Sequence, residues 1–328
     1  MKAVVWTRYG PPEVLQVQEV SKPEPGNGEL LVRIHATTVT KGDCEMRALD
    51  FPLILGLPMR LWMGLFKPRA GKISGTEYAG VVEAVGEGVK RFKVGDEVFG
   101  STGMNLGTNA EYICVAEKPD DMGAAVAIKP KNMTFEEAAT LPFGAREALH
   151  FLRLGNLNHG DKILINGAGG SIGVFAVQLA KLEGAEVTVV DRAEKLAMLR
   201  ELGADQAVDY LHDDFTEQGV AYDVIFDVVG TLKFSESNKA LKPGGTYLLA
   251  NPVSQTLSGI WTRLFTDREV ITQVSSPSVQ DLHTVRELIE AGRLRTVIDR
   301  VYPLEEIVAA HRYVETGAKQ GNLVITID

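Results

Sequence analysis

The sequence predicts an α/β protein of two domains, one β-rich and the other built around a doubly wound parallel sheet. Its 328 residues are enough for about two domains of ordinary size. Short β-branched runs separated by turns fill the chain up to about residue 127, and apolar runs alternate with helical segments from about residue 129. We therefore expect a first domain over 1–127, a parallel-sheet domain over 128–274, and a return to the first domain over 275–328.

The first region contains three clear strand candidates, each short, β-branched and bounded by Gly, Pro or Asp. They are Leu30–His35, Gly80–Val85 and Glu111–Val115. Glycine-containing turns at Gly86–Gly88 and Gly95–Glu97 lie between them. This pattern predicts a compact antiparallel barrel or sandwich.

The second region repeats a strand–helix pattern, which predicts the doubly wound sheet. Its apolar runs are nearly continuous, as in strands covered on both faces of a parallel sheet. A helix with apolar residues at helical spacing separates the first two runs, and Ala193–Leu202 supplies another. The predicted strands are Ile163–Ile165, Val187–Val190, Ala207–Val208, Val224–Phe226 and Thr246–Leu249.

The last region contains a helix over Asp281–Ala291, a strand over Val297–Tyr302, another helix, and a strand over Leu323–Thr326. We expect these strands to rejoin the first domain, which makes that domain discontinuous.

The composition excludes several functional classes. Lys and Arg total 34 against 43 Asp and Glu, so the net charge is −9 and a broad nucleic-acid-binding surface is not expected. The two cysteines, Cys44 and Cys114, cannot form a disulfide framework or a four-cysteine zinc site. The N-terminus runs into a strand-like segment without an apolar signal region. These features predict a cytoplasmic protein.

A glycine-rich turn between a predicted strand and a predicted helix is the strongest chemical signal. Residues 165–173 read Ile-Asn-Gly-Ala-Gly-Gly-Ser-Ile-Gly and fit the dinucleotide-binding pattern G-x-G-x-x-G, with Ala168 in the first position. Gly170 allows a pyrophosphate to approach the backbone, and Gly173 allows the helix to pack tightly on the strand. A turn used only for packing is the alternative. We expect NADPH or NADH to contact Ala168, Gly169, Gly170, Ser171, Ile172 and Gly173, with the helix N-terminus facing the phosphates.

Asp191 ends the next predicted strand, 18 residues after Gly173, where a carboxylate can bind the adenosine ribose. Its charge would repel a 2′-phosphate, which favours NADH. Arg192 and Lys195 could pair with that phosphate, which favours NADPH. The sequence leaves the choice between NADH and NADPH open.

Further motifs accompany the glycine turn in order: Gly75–Gly86, Val94–Val98, Leu141–Pro142, Ala207–Tyr210 and Leu241–Gly245. In these motifs the chain resembles the medium-chain dehydrogenase/reductase superfamily, and within it the zinc-free, zeta-crystallin-like quinone oxidoreductase branch. The resemblance covers essentially the whole chain. It implies a GroES-like catalytic domain joined to a Rossmann nucleotide-binding domain.

The resemblance also implies a protein without zinc. Zinc-dependent members carry Cys where this chain has Thr40, and His where it has Thr76. A threonine hydroxyl is a poor zinc ligand, so two ligands of the catalytic metal are missing.

The same resemblance assigns candidate site residues. Thr40 corresponds to a position that lines the nicotinamide and substrate pocket, and its hydroxyl can orient a carbonyl oxygen. Asp43 is a second candidate catalytic residue, or a carboxylate that caps the following turn. Lys195 and Tyr210 match residues that hold the adenosine phosphate in NADPH-using relatives. The residues expected to face the nicotinamide, after two strands, are Val229, Gly230, Leu249, Ala250 and Asn251.

These assignments predict an NAD(P)H-dependent oxidoreductase that reduces a quinone or the activated C=C bond of an enone by hydride transfer, with the proton coming from water. A zinc-free alcohol dehydrogenase is one alternative, although no visible group would polarise its C–O bond. A cofactor-binding protein with little turnover is another, because Glu147 and Asn322 replace a threonine and a lysine of the relatives.

Two apolar stretches with interspersed basic residues could contact a substrate or a membrane. They are Phe51–Phe66 and Leu257–Phe265. They would form an apolar mouth for a small quinone or enone if they border the cleft, or small helices packed on their own domains. Membrane contact is not expected, because the net charge is −9. Relatives commonly dimerise by pairing edge strands, so we expect a homodimer formed through Glu269–Val274.

Overall fold

The computed structural model describes residues 1–50, 53–68, 73–118, 124–250, 268–272 and 278–327. The strands are β1 (Lys2–Trp6), β2 (Leu15–Glu19), β3 (Glu29–Thr38), β4 (Glu77–Val85), β5 (Glu97–Thr102), β6 (Tyr112–Ala116), β7 (Ala124–Ile128), β8 (Lys162–Asn166), β9 (Glu186–Asp191), β10 (Gln206–Asp209), β11 (Tyr222–Asp227), β12 (Leu241–Leu249), β13 (Glu269–Ile271), β14 (Ile298–Pro303) and β15 (Asn322–Thr326). The helices are α1 (Lys41–Ala48), α2 (Leu53–Met63), α3 (Phe135–Ala138), α4 (Leu141–Leu154), α5 (Gly173–Leu182), α6 (Ala193–Glu201), α7 (Phe234–Ala240), α8 (Val279–Glu290) and α9 (Ile307–Glu315).

The described chain divides into two compact units, the first containing residues 1–143, 278–292 and 296–327. Its seven-stranded sheet has the order β14-β15-β3-β4-β5-β7, with β6 also paired to β3. The pairs are antiparallel except β14–β15. The last strand therefore completes the sheet that the early strands begin, as Val324 opposite Thr38 shows.

The second unit contains residues 144–250, 268–272 and 293–295 and holds a parallel sheet in the order β10-β9-β8-β11-β12-β13. The apolar residues of its central strands are buried, as expected for a sheet covered on both faces. From β8 the chain adds β9 and β10 on one side of the sheet, and it then returns to place β11, β12 and β13 on the other side of β8. The order of the strands therefore reverses between β8 and β11. Ligands bind at such a switch point, outside the carboxyl ends of the strands. The predicted α/β fold class is confirmed.

The apolar stretch Phe51–Phe66 contains α2. Met63 at the end of this helix is fully buried in the core of the first unit, whereas Leu57 and Leu61 are 58% and 64% exposed. The other predicted apolar stretch, Leu257–Phe265, lies outside the described residues. Within the described ranges, no helix is both long and apolar enough to span a bilayer.

Candidate functional site

The glycine turn joins β8 to α5 at the carboxyl edge of the parallel sheet. Gly167 has a φ of +76°, a conformation that favours glycine. A Cβ at Gly173 would stand 2.4 Å from the Ala168 backbone, so glycine allows α5 to begin against the turn. A Cβ at Gly169 would stand 2.4 Å from Cδ of Lys195. The protein's own packing therefore accounts for these three glycines.

Gly170 differs from its neighbours, because packing does not account for it. Among the described residues, a Cβ at this position would meet only the carbonyl oxygen of Gly167, at an ordinary contact distance of 3.6 Å. Close approach of a pyrophosphate does explain a glycine here. Ser171 and Ile172 lead from this point into α5, whose N-terminus favours a phosphate. The turn therefore fits a nicotinamide dinucleotide.

Asp191, at the end of β9, is tied to the turn and to α6. The backbone N–H of Gly169 donates to its Oδ2 at 2.7 Å, and that of Arg192 donates to its Oδ1 at 2.9 Å. Nζ of Lys195 lies 3.2 Å from the same Oδ1, and both side chains are at most 10% exposed. Asp191 thus neutralises the lysine that the sequence analysis placed beside a 2′-phosphate.

Arg192 and Tyr210 form a second pair near Asp191. Nε of Arg192 donates a hydrogen bond to Oη of Tyr210 at 2.9 Å. This bond raises the pKa of Arg192, so the guanidinium stays charged. Tyr210 is 49% exposed, so the pair lies at the surface of the unit.

Asp227, which the sequence analysis did not single out, binds residues of β8, β12 and the loop that follows β11. It ends β11, is fully buried, and its carboxylate accepts four hydrogen bonds from the described residues named below. The backbone N–H groups of Gly230 and Leu232 are two of the donors, so Asp227 holds the loop that follows β11. Like Asp191, it is an acidic residue that ends a buried strand, which is the one sequence signal it carries. The donors are Asn166 Nδ2 (2.8 Å), Gly230 N (2.9 Å), Leu232 N (3.1 Å) and Tyr247 Oη (2.9 Å).

The predicted residues of this unit lie at one edge of the sheet. The Val229 side chain lies against the glycine turn, since a Cβ at Gly167 would stand 2.9 Å from its Cγ1. Leu249 ends β12 opposite Asp227, and the N–H of Ala250 donates to the carbonyl oxygen of Asp227 at 3.2 Å. Asn251 lies outside the described residues.

Thr40 and Asp43 belong to the first unit, where they form the capping box of α1. The N–H of Asp43 donates to Thr40 Oγ1 at 3.2 Å. Oδ2 of Asp43 accepts from the Thr40 backbone N–H at 2.8 Å and from the Thr40 hydroxyl at 2.6 Å. Asp43 is 5% exposed, and its burial raises its pKa although the hydrogen bonds from Thr40 oppose this. The structure therefore shows the capping arrangement and a short hydroxyl–carboxyl contact between the two candidates.

Glu77, on β4, is a second buried carboxylate that the sequence analysis did not assign. Its Oε1 accepts from the backbone N–H of Phe143 at 2.7 Å, and its Oε2 accepts from the hydroxyl of Thr38.

The residues at the family's zinc-ligand positions do not fit a zinc ion. Thr40 and Thr76 offer only hydroxyls where thiolate or imidazole ligands would be needed. Over the described residues, no three His, Cys, Asp or Glu side chains are grouped to hold a metal.

A buried cysteine–histidine contact in the first unit invites a nucleophilic role, but its electrostatics oppose one. Sγ of Cys44 lies 3.4 Å from Nδ1 of His311, and Nη1 of Arg47 lies 3.2 Å from the same nitrogen. Burial raises the pKa of Cys44 to about 12. Burial, with a contribution from Arg47, lowers the pKa of His311 to about 3. A neutral thiol beside a neutral imidazole is a structural contact between α1 and α9.

Comparisons with known proteins agree with this architecture. The alcohol dehydrogenase GroES-like domain family matches residues 26–122, and the zinc-binding dehydrogenase family matches residues 202–325. The chain is 31% identical to 2-methylene-furan-3-one reductase of Solanum lycopersicum, covering 99% of this chain and 79% of the relative. It is 32% identical to the chloroplastic NADPH-dependent alkenal/one oxidoreductase of Arabidopsis thaliana, with the same coverage of 99% and 79%.

Among solved structures, the quinone oxidoreductase from Coxiella burnetii matches with a TM-score of 0.89 at 27% identity, covering 100% of this chain and 99% of that one. The matches to the relatives extend over both units. The chain therefore belongs to the medium-chain dehydrogenase/reductase superfamily, in its quinone oxidoreductase branch.

Proposed function

We propose that this protein is an NAD(P)H-dependent oxidoreductase that reduces a quinone or the activated C=C bond of an enone. The open space at Gly170, in a strand–turn–helix unit at the switch point of a parallel sheet, carries the proposal. The relatives support the substrate class, since their names specify reductases of enones, alkenals and quinones. A small apolar quinone or enone is the substrate that we expect.

We infer that NADH is preferred over NADPH. A 2′-phosphate needs a cation, and the buried Lys195 is already paired with Asp191 at 3.2 Å. Asp191 would also repel a phosphate, whereas its carboxylate can accept hydrogen bonds from a ribose diol. In this preference the chain would differ from the Arabidopsis relative, whose name specifies NADPH.

The chain's residues would act around the bound dinucleotide, which supplies the hydride. The glycine turn would place the pyrophosphate, and the loop held by Asp227 would fix Val229 and Gly230 beside it. In the structure the Thr40 hydroxyl donates to Oδ2 of Asp43 at 2.6 Å. For the reduction this hydroxyl would turn towards the carbonyl oxygen of the substrate, give it its proton, and take up the proton of the Asp43 carboxyl. Asp43, and not the water expected from the sequence, would then be the source of the proton. One hydride and one proton then complete the reduction of an enone or a quinone.

Replacing Asp43 by asparagine tests this proton donor. Because burial raises the pKa of Asp43 above its ordinary value of 3.8, the protonated donor persists to higher pH and is lost as the pH rises through the raised pKa. We expect Asp43→Asn to lower kcat by about 10-fold or more and to abolish this fall of kcat with rising pH. The pH profile of kcat checks this. Thr40→Ser, which keeps the hydroxyl, should keep the wild-type profile, and an Asp43→Asn variant that also keeps it contradicts the donor role.

The activity is tested with purified protein by following absorbance of the reduced nicotinamide. NADH and NADPH are compared with a small quinone and with an α,β-enone, and NAD⁺ and NADP⁺ with an alcohol, each with and without a chelator. We propose zinc independence, so turnover of the quinone or enone should be insensitive to chelation. Oxidation of the alcohol instead would favour a zinc-free alcohol dehydrogenase, and nucleotide binding without any turnover would favour a cofactor-binding protein.

We also propose that the protein is a cytoplasmic homodimer. β13 lies at the end of the parallel sheet, paired on one side with β12, and it overlaps the predicted dimer strand Glu269–Val274. An edge strand of this kind can pair with a second copy through its free backbone groups. Sedimentation at micromolar concentration should give twice the 35.6 kDa mass of the chain, and a monomer would contradict the proposal.

A further inference from the structure

Helix α4 carries a buried arginine whose hydrogen-bonding groups are largely unused. Arg146 is only 5% exposed. Its Nη2 lies 3.5 Å from Oε1 of the adjacent Glu147, at the limit of a hydrogen bond. Its Nε and Nη1 are buried and have no hydrogen-bond partner in the described part of the chain.

Such a residue is costly for the stability of the free protein. A guanidinium remains charged at all ordinary pH values, and each buried donor left without a partner loses its hydrogen bonds to water. A contact with Glu147 does not remove this cost, because it leaves two nitrogens unsatisfied. A protein can retain buried N–H groups without an internal acceptor when a bound ligand supplies the acceptor.

His150 provides an independent observation on the same helix. Its Nε2 is also buried without a hydrogen-bond partner among the described residues. Residues four apart lie on the same face of a helix, so His150 follows Arg146 by one turn on that face. Three unpartnered nitrogens therefore share one stripe of α4.

The start of α4 packs against the glycine turn. A Cβ at Gly144 would stand 2.6 Å from the carbonyl oxygen of Ser171 and 3.2 Å from the ring of Phe175. Arg146 follows Gly144 by two residues, so it lies at nearly the same level along α4 but on a different face of the helix.

We propose that Arg146 and His150 bind an electron-rich oxygen of a ligand. Within the proposed function, on which this inference rests, that oxygen belongs either to the pyrophosphate of the dinucleotide or to the carbonyl of the quinone or enone. A planar guanidinium with two free donor nitrogens suits either oxygen.

The experiment compares Glu147→Gln with the double variant Arg146→Leu/Glu147→Gln. Both variants lack the Glu147 carboxylate, so a difference between them in ligand binding or activity reports on Arg146 itself and not on its contact with Glu147. The dissociation constant of NADH and kcat/KM for a quinone are measured in each. We expect the double variant to lose about 10- to 100-fold relative to Glu147→Gln in one of these quantities. Loss of NADH affinity assigns the phosphate, whereas loss confined to kcat/KM for the quinone assigns the carbonyl oxygen. His150→Leu should weaken the same quantity.

Equal NADH affinity and equal kcat/KM in the two Glu147 variants would overturn the inference. Thermal unfolding verifies that each variant folds, and Arg146→Lys on the Glu147→Gln background, which keeps the charge but not the planar fork, substitutes if the leucine variant does not fold. If the wild-type protein neither binds nor oxidises NAD(P)H, the proposed function fails. The test is then the rise in the thermal unfolding midpoint on addition of sodium pyrophosphate. This rise should be seen with Glu147→Gln and be absent in the double variant. An equal rise, or no rise, in both variants overturns the inference.

Discussion

Replacing Gly170 by valine should weaken dinucleotide binding by about 100-fold while leaving the thermal unfolding midpoint nearly unchanged. In the described part of the chain, a Cβ at this position would meet only the Gly167 carbonyl oxygen, at 3.6 Å, so the free protein can accommodate a side chain. The added methyl groups would fill the space that a pyrophosphate needs. NADH titration and thermal unfolding of the same preparations measure the two effects.

Gly173→Val is the matched control in the same turn. Its Cβ would stand 2.4 Å from the Ala168 backbone, which cannot move aside as a flexible side chain can. We expect Gly173→Val to lower the free energy of unfolding by about 3 kcal/mol or more, because the backbone would have to shift to make room for the new side chain. If Gly170→Val destabilised the protein as strongly as Gly173→Val, Gly170 would be a packing residue and the candidate phosphate site would lose its main support.

Asp191→Asn should change the nucleotide preference, raising kcat/KM with NADPH by about 10- to 100-fold and lowering it with NADH. The amide oxygen can still accept from the N–H of Gly169, which is 2.7 Å from Oδ2 in the native protein. The negative charge 3.2 Å from Lys195 is removed, so the lysine becomes available to a 2′-phosphate. Steady-state kinetics with both nucleotides, at one quinone concentration, measures the change.

The double variant Asp191→Asn/Lys195→Gln separates the two residues. If the released lysine binds the phosphate, the gain with NADPH should disappear in the double variant, because no buried cation remains there. Arg192 is unchanged in both proteins and still donates to Tyr210. A gain that persists without Lys195 would instead assign phosphate recognition to Arg192. No gain in the single variant would show that Asp191 does not set the preference.

The candidate site was partly predictable because its main features are local. A tight turn between a strand and a helix requires a recognisable run of glycines, and the acidic end of the next strand follows at a regular spacing. Asp227 also ends a buried strand, but no glycine motif accompanies it, so the sequence signal at this position is weaker than at Asp191. Its importance depends on donors from β8, β12 and the following loop, which only folding brings together.

The sequence by itself determined the fold class, the family and the position of the glycine turn, because periodicity and turn chemistry are written along the chain. Only the tertiary structure separated Gly170 from the three glycines that packing requires, paired Lys195 with Asp191, and joined Thr40 to Asp43. It also showed that Arg146 is buried, with two nitrogens that have no hydrogen-bond partner among the described residues. These properties depend on distances, burial and charges between residues that are not determined by residue type and spacing alone.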